Sequence, residues 1–186
     1  MFVGEGEQQM RHPIRLAAPA DRPAVEDLVQ AAYEPWVPIV GGRPAPMDAD
    51  YPSLIAAGRV FLTGPDRVDI PDGLIVLVPE NGVLLVENVA VRPGLHGQGI
   101  GRRLLAFAED EARRLGLPAV RLYTHARMTR NQALYEALGY VRTGIQPVGD
   151  SHIVLFRKEL SQSQAWTAGV RQIPPGRSSV PAGPYR

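Results

Sequence analysis

The chain has 186 residues, of which 45% are hydrophobic and 21% are charged, an ordinary composition for one globular domain. Lys and Arg number 20 against 19 Asp and Glu, so the net charge of +1 gives no electrostatic case for nucleic acid or an anionic membrane surface as a partner. The absence of cysteine excludes disulfides, thiolate metal sites and cysteine nucleophiles. Neither a signal-peptide pattern nor a long apolar stretch is seen, so a cytoplasmic protein without a membrane segment is expected.

Both ends of the chain are expected to be flexible. Residues 1–11 carry few core-forming side chains, and residues 161–186 are rich in Gln, Ser, Pro and Gly. Such compositions bury too little apolar area to offset the conformational entropy lost on ordering. We therefore predict one folded domain over residues 12–160.

The first part of this domain alternates between strand and helix signals. Residues 14–17 predict a short strand, and residues 23–32 predict a helix that Asp21 caps. A stretch dense in Pro and Gly follows, and then a short helix around residues 48–57. Three apolar runs separated by turn residues predict strands at 60–62, 74–78 and 83–91.

The later elements complete a layered fold. Asn81-Gly82 between two apolar runs predicts a β-hairpin. Residues 99–115 form the clearest helix, because apolar side chains recur at helical spacing and Gly116 follows as a stop. A hairpin, a crossover helix and a further strand predict an α/β fold, with a mixed, mostly antiparallel central sheet flanked by helices on both faces. The last elements predicted are a strand at 120–123, a helix at 131–138 and a strand at 153–157.

A glycine-rich turn leads into the clearest helix, with Gly94, Gly97, Gly99 and Gly101 falling within eight residues. A strand–turn–helix of this kind aims unpaired backbone N–H groups and the positive end of the helix dipole at one point, which suits a phosphate or pyrophosphate. Glycine lets the backbone approach such a ligand without an intervening Cβ. A tight turn without a ligand is the alternative, but it would not require four glycines.

Two other phosphate-binding loops fit this turn poorly. A P-loop requires Lys and then Ser or Thr after its last glycine, whereas Ile100 and Gly101 follow Gly99. A dinucleotide-binding fingerprint would require glycine or alanine at Arg102 or Leu104, depending on the glycine at which it begins. A nucleoside triphosphate enzyme is therefore disfavoured.

The segment His96-Gly97-Gln98-Gly99-Ile100-Gly101 resembles the pyrophosphate loop of the GNAT superfamily of N-acetyltransferases, whose pattern is Gln/Arg-x-x-Gly-x-Gly/Ala. His96 stands where that pattern has Gln or Arg. The stretch 131–140 (NQALYEALGY) is similar to the Asn…Tyr-x-x-Leu-Gly-Tyr/Phe segment of the superfamily, and it follows the loop at the expected distance. The resemblance extends over roughly residues 14–160.

This resemblance implies an acyl-CoA N-acyltransferase fold and direct transfer of an acetyl group from acetyl-CoA, the co-substrate, to a primary amine acceptor, with no metal. In the superfamily the strand before the loop splays at a bulge, so that its main chain pairs with the pantetheine and an N–H near Val89 faces the oxyanion. Asn131 would bind the cofactor arm, although it could also cap the helix that it begins. The cofactor-binding residues that the resemblance implies are Val89, Ala90, Val91, His96, Gly97, Gln98, Gly99, Ile100, Gly101, Arg102 and Asn131.

Three side chains are candidates for proton transfer. Tyr135, by its position in the second motif, would protonate the departing thiolate; a core aromatic is the alternative interpretation. An alkylamine is almost entirely protonated at pH 7, so a base is required, and Glu87 on the splayed strand is the first candidate. His125 is the second, since imidazole titrates in the useful range. A solvated strand-edge carboxylate and a histidine that orders a turn are the respective alternatives.

Acceptor binding in the superfamily involves the region between the first two helices. Tyr33, Trp36, Asp50 and Tyr51 lie there, and acidic and aromatic side chains together suit a cationic amine. Ordinary packing of the aromatics beside a solvated acidic patch is the other interpretation. The identity of the acceptor and the oligomeric state stay open, although homodimers through sheet edges are common among relatives. A catalytically silent acyl-CoA sensor or regulatory module is the alternative function.

Overall fold

The computed structural model describes residues 12–65 and 71–161. The predicted flexible segment 1–11 lies outside the described residues, as does the predicted tail apart from Ser161, which is exposed. The boundaries of the domain at 12 and 160 therefore stay predictions. No helix within the described ranges is long and apolar enough to cross a membrane.

The described ranges contain seven strands and five α-helices, joined in places by short 3-10 turns. The strands are β1 (Ile14–Leu16), β2 (Val60–Thr63), β3 (Gly73–Glu80), β4 (Val83–Val91), β5 (Ala119–His125), β6 (Val141–Val148) and β7 (Ser151–Glu159). The helices are α1 (Arg22–Tyr33), α2 (Val37–Val40), α3 (Tyr51–Ala56), α4 (Ile100–Arg114) and α5 (Thr129–Ala137).

The strands form one mixed sheet in the order β1-β2-β3-β4-β5-β7-β6. Neighbouring strands are antiparallel except β4 and β5, which run parallel because α4 crosses over between them. The hairpin at Asn81-Gly82 joins β3 to β4. The predicted fold class, including its hairpin and crossover helix, is confirmed.

Each face of the sheet buries a separate apolar core, as the alternation of side chains along β3 shows. Leu74 and Val76 pack with α1 and α3 on one face. Ile75 and Leu77 pack with α4 and α5 on the other face. Helices therefore cover β3 and β4 on both faces of the sheet.

Strand β6 was not predicted from the sequence. Most of its side chains are exposed at the edge of the sheet, so no buried face imposes an alternating apolar pattern. Gly144 and Pro147 interrupt it further, and its register against β7 shifts between Arg142 and Gly144. Proline is tolerated in an edge strand, which explains how a sequence with weak strand signals still pairs here.

Asp21 lies at the N-cap position of α1, as predicted, but its side chain makes no capping hydrogen bond to that helix. The carboxylate of Asp21 accepts hydrogen bonds from the Ala18 N–H at 2.7 Å and from Arg15 at 2.7 Å, so it serves the turn before α1. Helix α5 begins at Thr129, two residues before the predicted start. Asn131 therefore lies within the first turn of α5 and does not cap it.

Candidate active site

The sheet opens between its two central strands. The parallel ladder pairs residues 84–86 of β4 with residues 120–122 of β5 and ends there, although both strands continue. On its other edge β4 stays paired with β3, but the register shifts so that Val86 faces Leu77 and Asn88 faces Val76. Glu87 is thus the extra residue of a β-bulge, which bends β4 at the point where the opening begins.

One side of the opening is a groove of about 380 Å³, here named the loop groove. The glycine turn and the start of α4 form its rim, and α5 forms its opposite wall. The cavity therefore runs from the helix N-terminus down to the bulged strand. Its lining includes Val89, Ala90, Val91, His96, Gly97, Gly99, Ile100, Gly101, Arg102 and Asn131.

The glycines of the turn leave its main chain uncovered by side chains. Gly94, Gly97 and Gly99 have φ values of +86°, +85° and +80°, a left-handed conformation that favours glycine. A Cβ placed at any of the three would meet no atom within 4 Å, so the space above them is open. Gly99 precedes α4 without a side-chain cap, which leaves the first N–H groups of that helix available to an anion. This cradle fits a diphosphate.

The predicted loop residues contribute in different ways. Ile100 and Ala90 are buried in the two cores, so their main chain faces the groove while their side chains pack inward. His96 and Arg102 are exposed at the rim. Gln98 is exposed too, and its side chain is not part of the groove lining.

The other side of the opening is a cavity of about 460 Å³, here named the polar cavity. Residues 40–46, the bulge of β4, the end of β5 and the start of β7 enclose it. The polar cavity and the loop groove share four lining residues, which therefore mark their junction. The shared residues are Tyr33, Val89, Asn131 and Tyr135.

Tyr135 projects from α5 into the junction and is only 4% exposed. Its ring packs edge-on against Phe156 at a centroid distance of 5.5 Å, which fixes the direction of the phenol. Burial raises the pKa of Tyr135 well above its usual value. The side chain is therefore a protonated donor across the physiological pH range.

Glu87 lies on the bulge, is half-buried and lines the polar cavity. Desolvation raises the pKa of Glu87 above the ordinary carboxyl range, while the positive charge of Arg59 opposes that shift. A carboxylate whose pKa is raised by burial binds a proton more tightly, which is the property that a general base requires.

His125, at the end of β5, also lines the polar cavity, but both of its ring nitrogens are engaged. Nδ1 accepts a hydrogen bond from the Arg127 N–H at 3.0 Å. Nε2 contacts the hydroxyl of Ser151, and a neutral ring with its proton on Nε2 satisfies both contacts. Burial, with a smaller contribution from Arg127, lowers the pKa of His125 and favours that neutral form.

A chain of hydrogen bonds behind the bulge was not predicted from the sequence. Tyr33 donates its hydroxyl proton to Asn88 Oδ1 at 2.7 Å, Asn88 Nδ2 donates to the Tyr51 hydroxyl at 3.0 Å, and that hydroxyl donates to the Pro46 carbonyl at 2.9 Å. Asn88 is 5% exposed. These hydrogen bonds connect α1 and α3 to β4 and to the wall of the polar cavity. A lone asparagine in a strand gives no sequence signal for this role.

The four residues predicted to bind the acceptor separate in the structure. Tyr33 lies at the junction, whereas Trp36 lines the loop groove. Tyr51 is buried in the core and burial raises its pKa, so it supports the cavity wall from behind. Asp50 caps α3 through Ser53 and lines neither cavity. The acceptor roles of Trp36, Asp50 and Tyr51 therefore stay predictions, and none of the three lines the polar cavity.

Known proteins share this architecture and parts of this sequence. Residues 27–140, more than half of the chain, match the acetyltransferase (GNAT) family. An IAA acetyltransferase of Azospirillum brasilense is 38% identical over 88 residues, which make up 47% of this chain and 58% of that protein. An S-(2-succino)cysteine N-acetyltransferase of Bacillus subtilis (strain 168) is 38% identical over 72 residues, 38% of this chain and 44% of that protein.

The chain thus matches less than two thirds of the length of these curated relatives. The PaiA N-acetyltransferase of Thermoplasma acidophilum, solved in complex with coenzyme A, aligns with a TM-score of 0.64 and 16% identity over 81% of this chain and all of that chain. At 16% identity this similarity shows a shared fold and nothing more. Together these matches confirm the resemblance of the two motifs: the chain belongs to the acetyltransferase (GNAT) family, whose co-substrate is acetyl-CoA.

Proposed function

We propose that this protein transfers the acetyl group of acetyl-CoA to a primary amine, by direct attack while both substrates are bound. One observation carries the proposal: two cavities adjoin the opening of the sheet and share Tyr135 in their linings. The loop groove suits the cofactor and the polar cavity suits the acceptor. A reaction in which both substrates must be present together requires such a junction.

The residues of the loop groove fit coenzyme A. The open turn at Gly97 and Gly99 and the uncapped N-terminus of α4 would hold the diphosphate through backbone N–H groups. The edge of β4 that β5 leaves unpaired would pair with the pantetheine arm, and Asn131 lines the same path. Bound there, acetyl-CoA supplies an activated acyl thioester to the junction.

Acetyl transfer requires three functions of the protein: stabilising the oxyanion, protonating the sulfur and accepting the amine proton. The neutral amine of the acceptor forms a C–N bond at the carbonyl carbon while the C–S bond breaks and sulfur leaves with the bonding electron pair. A backbone N–H near Val89 would stabilise the developing oxyanion. Tyr135 would donate its proton toward the departing sulfur. Glu87 would accept the proton that the attacking nitrogen must lose.

We assign the base to Glu87 and not to His125. The carboxylate of Glu87 faces the polar cavity and its raised pKa favours proton capture. His125 already uses Nδ1 as an acceptor for the Arg127 N–H, so it has no free lone pair for the amine unless that hydrogen bond breaks. His125 instead orders the turn that follows β5, the alternative role expected for it.

The relatives support nitrogen as the acceptor atom. The Bacillus subtilis relative is an N-acetyltransferase whose name specifies S-(2-succino)cysteine, and the name of the Azospirillum brasilense relative specifies IAA. These names differ in acceptor while the matched region is the same kind of domain. For this chain, we assign the choice of acceptor to the polar cavity.

Two measurements test the proposal. Calorimetry on the full chain should detect acetyl-CoA binding, and thiol release with a panel of primary amines should show turnover that depends on the amine, with the acetylated product identified by mass spectrometry. Acetyl-CoA binding without thiol release on any amine would contradict the transfer function and favour the sensor that the sequence left open. The polar cavity beside Tyr135 argues against that sensor, because a sensor needs no second cavity.

A further inference from the structure

We propose that the acceptor amine carries a carboxylate and that the guanidinium of Arg127 binds it. This inference rests on the proposed function, since it names the class of acceptor for the polar cavity. It predicts an amino acid or a similar amino-carboxylic acid as the acceptor. The cationic amine expected from Asp50 and Tyr51 has no support in the structure, because neither residue lines the polar cavity.

Arg127 offers unused hydrogen-bond donors to the polar cavity. It lies in the exposed turn between β5 and α5 and lines the cavity. Its Nη1 donates to the Ile39 carbonyl at 3.0 Å, and its guanidinium forms no ion pair with any carboxylate of the described residues. A guanidinium has five N–H donors in a fixed fork, which matches the two oxygens of a carboxylate.

Arg43, the other arginine of the cavity wall, shows the contrast. Its Nε donates to Asp48 at 2.6 Å, and its Nη2 donates to the side chain of Gln30 at 2.9 Å. Partners from the chain itself therefore neutralise and orient Arg43. The cavity thus holds one arginine that is paired internally and one, Arg127, whose charge is left for a ligand.

The position of Arg127 is fixed from two sides. Its own N–H donates to His125 Nδ1, and the buried side chain of Gln132 donates to the Ala126 carbonyl at 2.7 Å, so the backbone of the turn is held. The other end of the side chain contacts the end of α2, where Gly41 has φ +85° and a Cβ would lie 3.5 Å from Nη1. A pre-organised fork loses less conformational entropy when it binds.

The charges of the cavity wall suit a zwitterion. Glu87 is half-buried at the bulge, while Arg127 is exposed beyond the end of β5. Asp150 lines the wall as well, but it lies in the exposed turn between β6 and β7 and pairs with no arginine of the described residues. A molecule that directs its amine to Glu87 and its carboxylate to Arg127 would meet a complementary charge at each end.

The test compares acceptors that differ only in the carboxylate. Phenylalanine with 2-phenylethylamine and leucine with 3-methylbutylamine are two such pairs, and acetyl-CoA-dependent thiol release gives kcat/KM for each member. In Arg127→Gln we expect kcat/KM for the amino acid to fall about 10- to 100-fold while the value for the plain amine changes less than about threefold. Because each pair is compared between two proteins, differences in intrinsic amine reactivity cancel.

Two further variants separate the outcomes. Arg127→Lys, which keeps the charge and loses the fork, should fall between the wild type and Arg127→Gln. Arg142→Gln removes the same charge from the β6 edge, where Arg142 pairs with Glu136, and should leave both acceptor classes unchanged. An equal loss for both members of a pair in Arg127→Gln would show that Arg127 only braces the turn, and would overturn the inference while the proposed function stands. Turnover of plain amines alone would overturn it too, whereas no turnover of any amine would overturn the proposed function itself.

Discussion

The loop groove and the polar cavity meet at the junction that contains Tyr135, but they are built in opposite ways. The diphosphate cradle of the loop groove is main chain: Gly97 and Gly99 in left-handed conformation and the uncapped start of α4. The wall of the polar cavity is side chains, which come from the bulge, the turn after β5 and the turn before β7. The first needs one short contiguous segment, and the second needs several segments that are distant in the sequence.

This difference in construction corresponds to a difference between cofactor binding and acceptor binding. A diphosphate is recognised by N–H groups that any residue could supply, provided that no Cβ intervenes, so the requirement appears as a glycine pattern. In our proposal an acceptor is recognised by a carboxylate and a guanidinium that come from separate segments of the chain. We therefore expect changes in the loop groove to abolish cofactor binding, and changes in the polar cavity to alter chemistry or acceptor choice.

Gly99→Val should break the loop groove and give the largest effect. A β-branched side chain at φ +80° is strained, and its Cβ would enter the space expected for the diphosphate. We expect acetyl-CoA affinity, measured by calorimetry, to fall by about 100-fold or more, equivalent to about 2.7 kcal/mol or more. The variant must first be shown to be folded by circular dichroism.

Gly82→Val is the matched control for this strain. Gly82 lies in the β3–β4 turn with φ +75°, and a Cβ there would also meet nothing within 4 Å. It should lose similar stability in thermal unfolding but keep wild-type affinity for acetyl-CoA. Equal losses of affinity in the two variants would mean that strain, and not the diphosphate cradle, explains the result.

Tyr135→Phe tests the junction, where the two regions meet. Removing the hydroxyl removes the proton donor but keeps the ring against Phe156, so we expect kcat to fall about 10²- to 10³-fold while the Kd for acetyl-CoA changes less than about threefold. Tyr140→Phe is the control, since this buried tyrosine lies 6.3 Å from the Tyr135 ring and lines neither cavity. A large loss of cofactor affinity in Tyr135→Phe would contradict its role as an acid.

The sequence predicted the loop groove better than the polar cavity, because the groove is built from short contiguous segments and the cavity from segments that are distant in the sequence. Gly97, Gly99 and Tyr135 belong to local motifs whose spacing is set by one turn or one helix, and the structure places them around one opening. The fold class followed from the hairpin at Asn81-Gly82 and the crossover helix. Strand β6 escaped prediction because an exposed edge leaves no periodic burial pattern.

The polar cavity could be predicted only in part. Glu87 was identified because the resemblance directs attention to the splayed strand. Arg127 and Asn88 were not, because an arginine in a turn and an asparagine in a strand acquire their roles from partners 88 and 37 residues away. Asp50 and Tyr51 line neither cavity. Sequence proximity to the first helices says nothing about which side chains face inward.

Glu87→Gln changes the polar cavity and leaves the loop groove intact. The pH dependence of this variant tests the assignment of Glu87 as the general base. In the wild type, kcat/KM should fall as the pH drops through the raised pKa of Glu87, because the protonated carboxyl cannot accept the amine proton. In Glu87→Gln this limb should vanish, leaving a rate that rises with the fraction of free amine and is about 10- to 100-fold lower at pH 7. An unchanged profile would exclude Glu87 as the base; His125→Gln, measured in parallel, would then be expected to remove the limb.

Glu87→Gln should also change the stability of the fold. This effect is the smallest that we predict, and it is an increase, whereas the effect on activity is a decrease. Because burial raises the pKa of folded Glu87 above the unfolded value of about 4.3, the protonated form stabilises the fold below that pH, and this contribution is lost as the pH rises through the folded pKa. At pH 7 the ionised carboxylate therefore destabilises the fold, and Glu87→Gln should raise Tm by about 1 °C, since the group is half exposed and screened. At pH 4 the difference should disappear. A lower Tm at pH 7 would show that attraction to Arg59 outweighs desolvation, and that Glu87 is held for structure as well as for proton transfer.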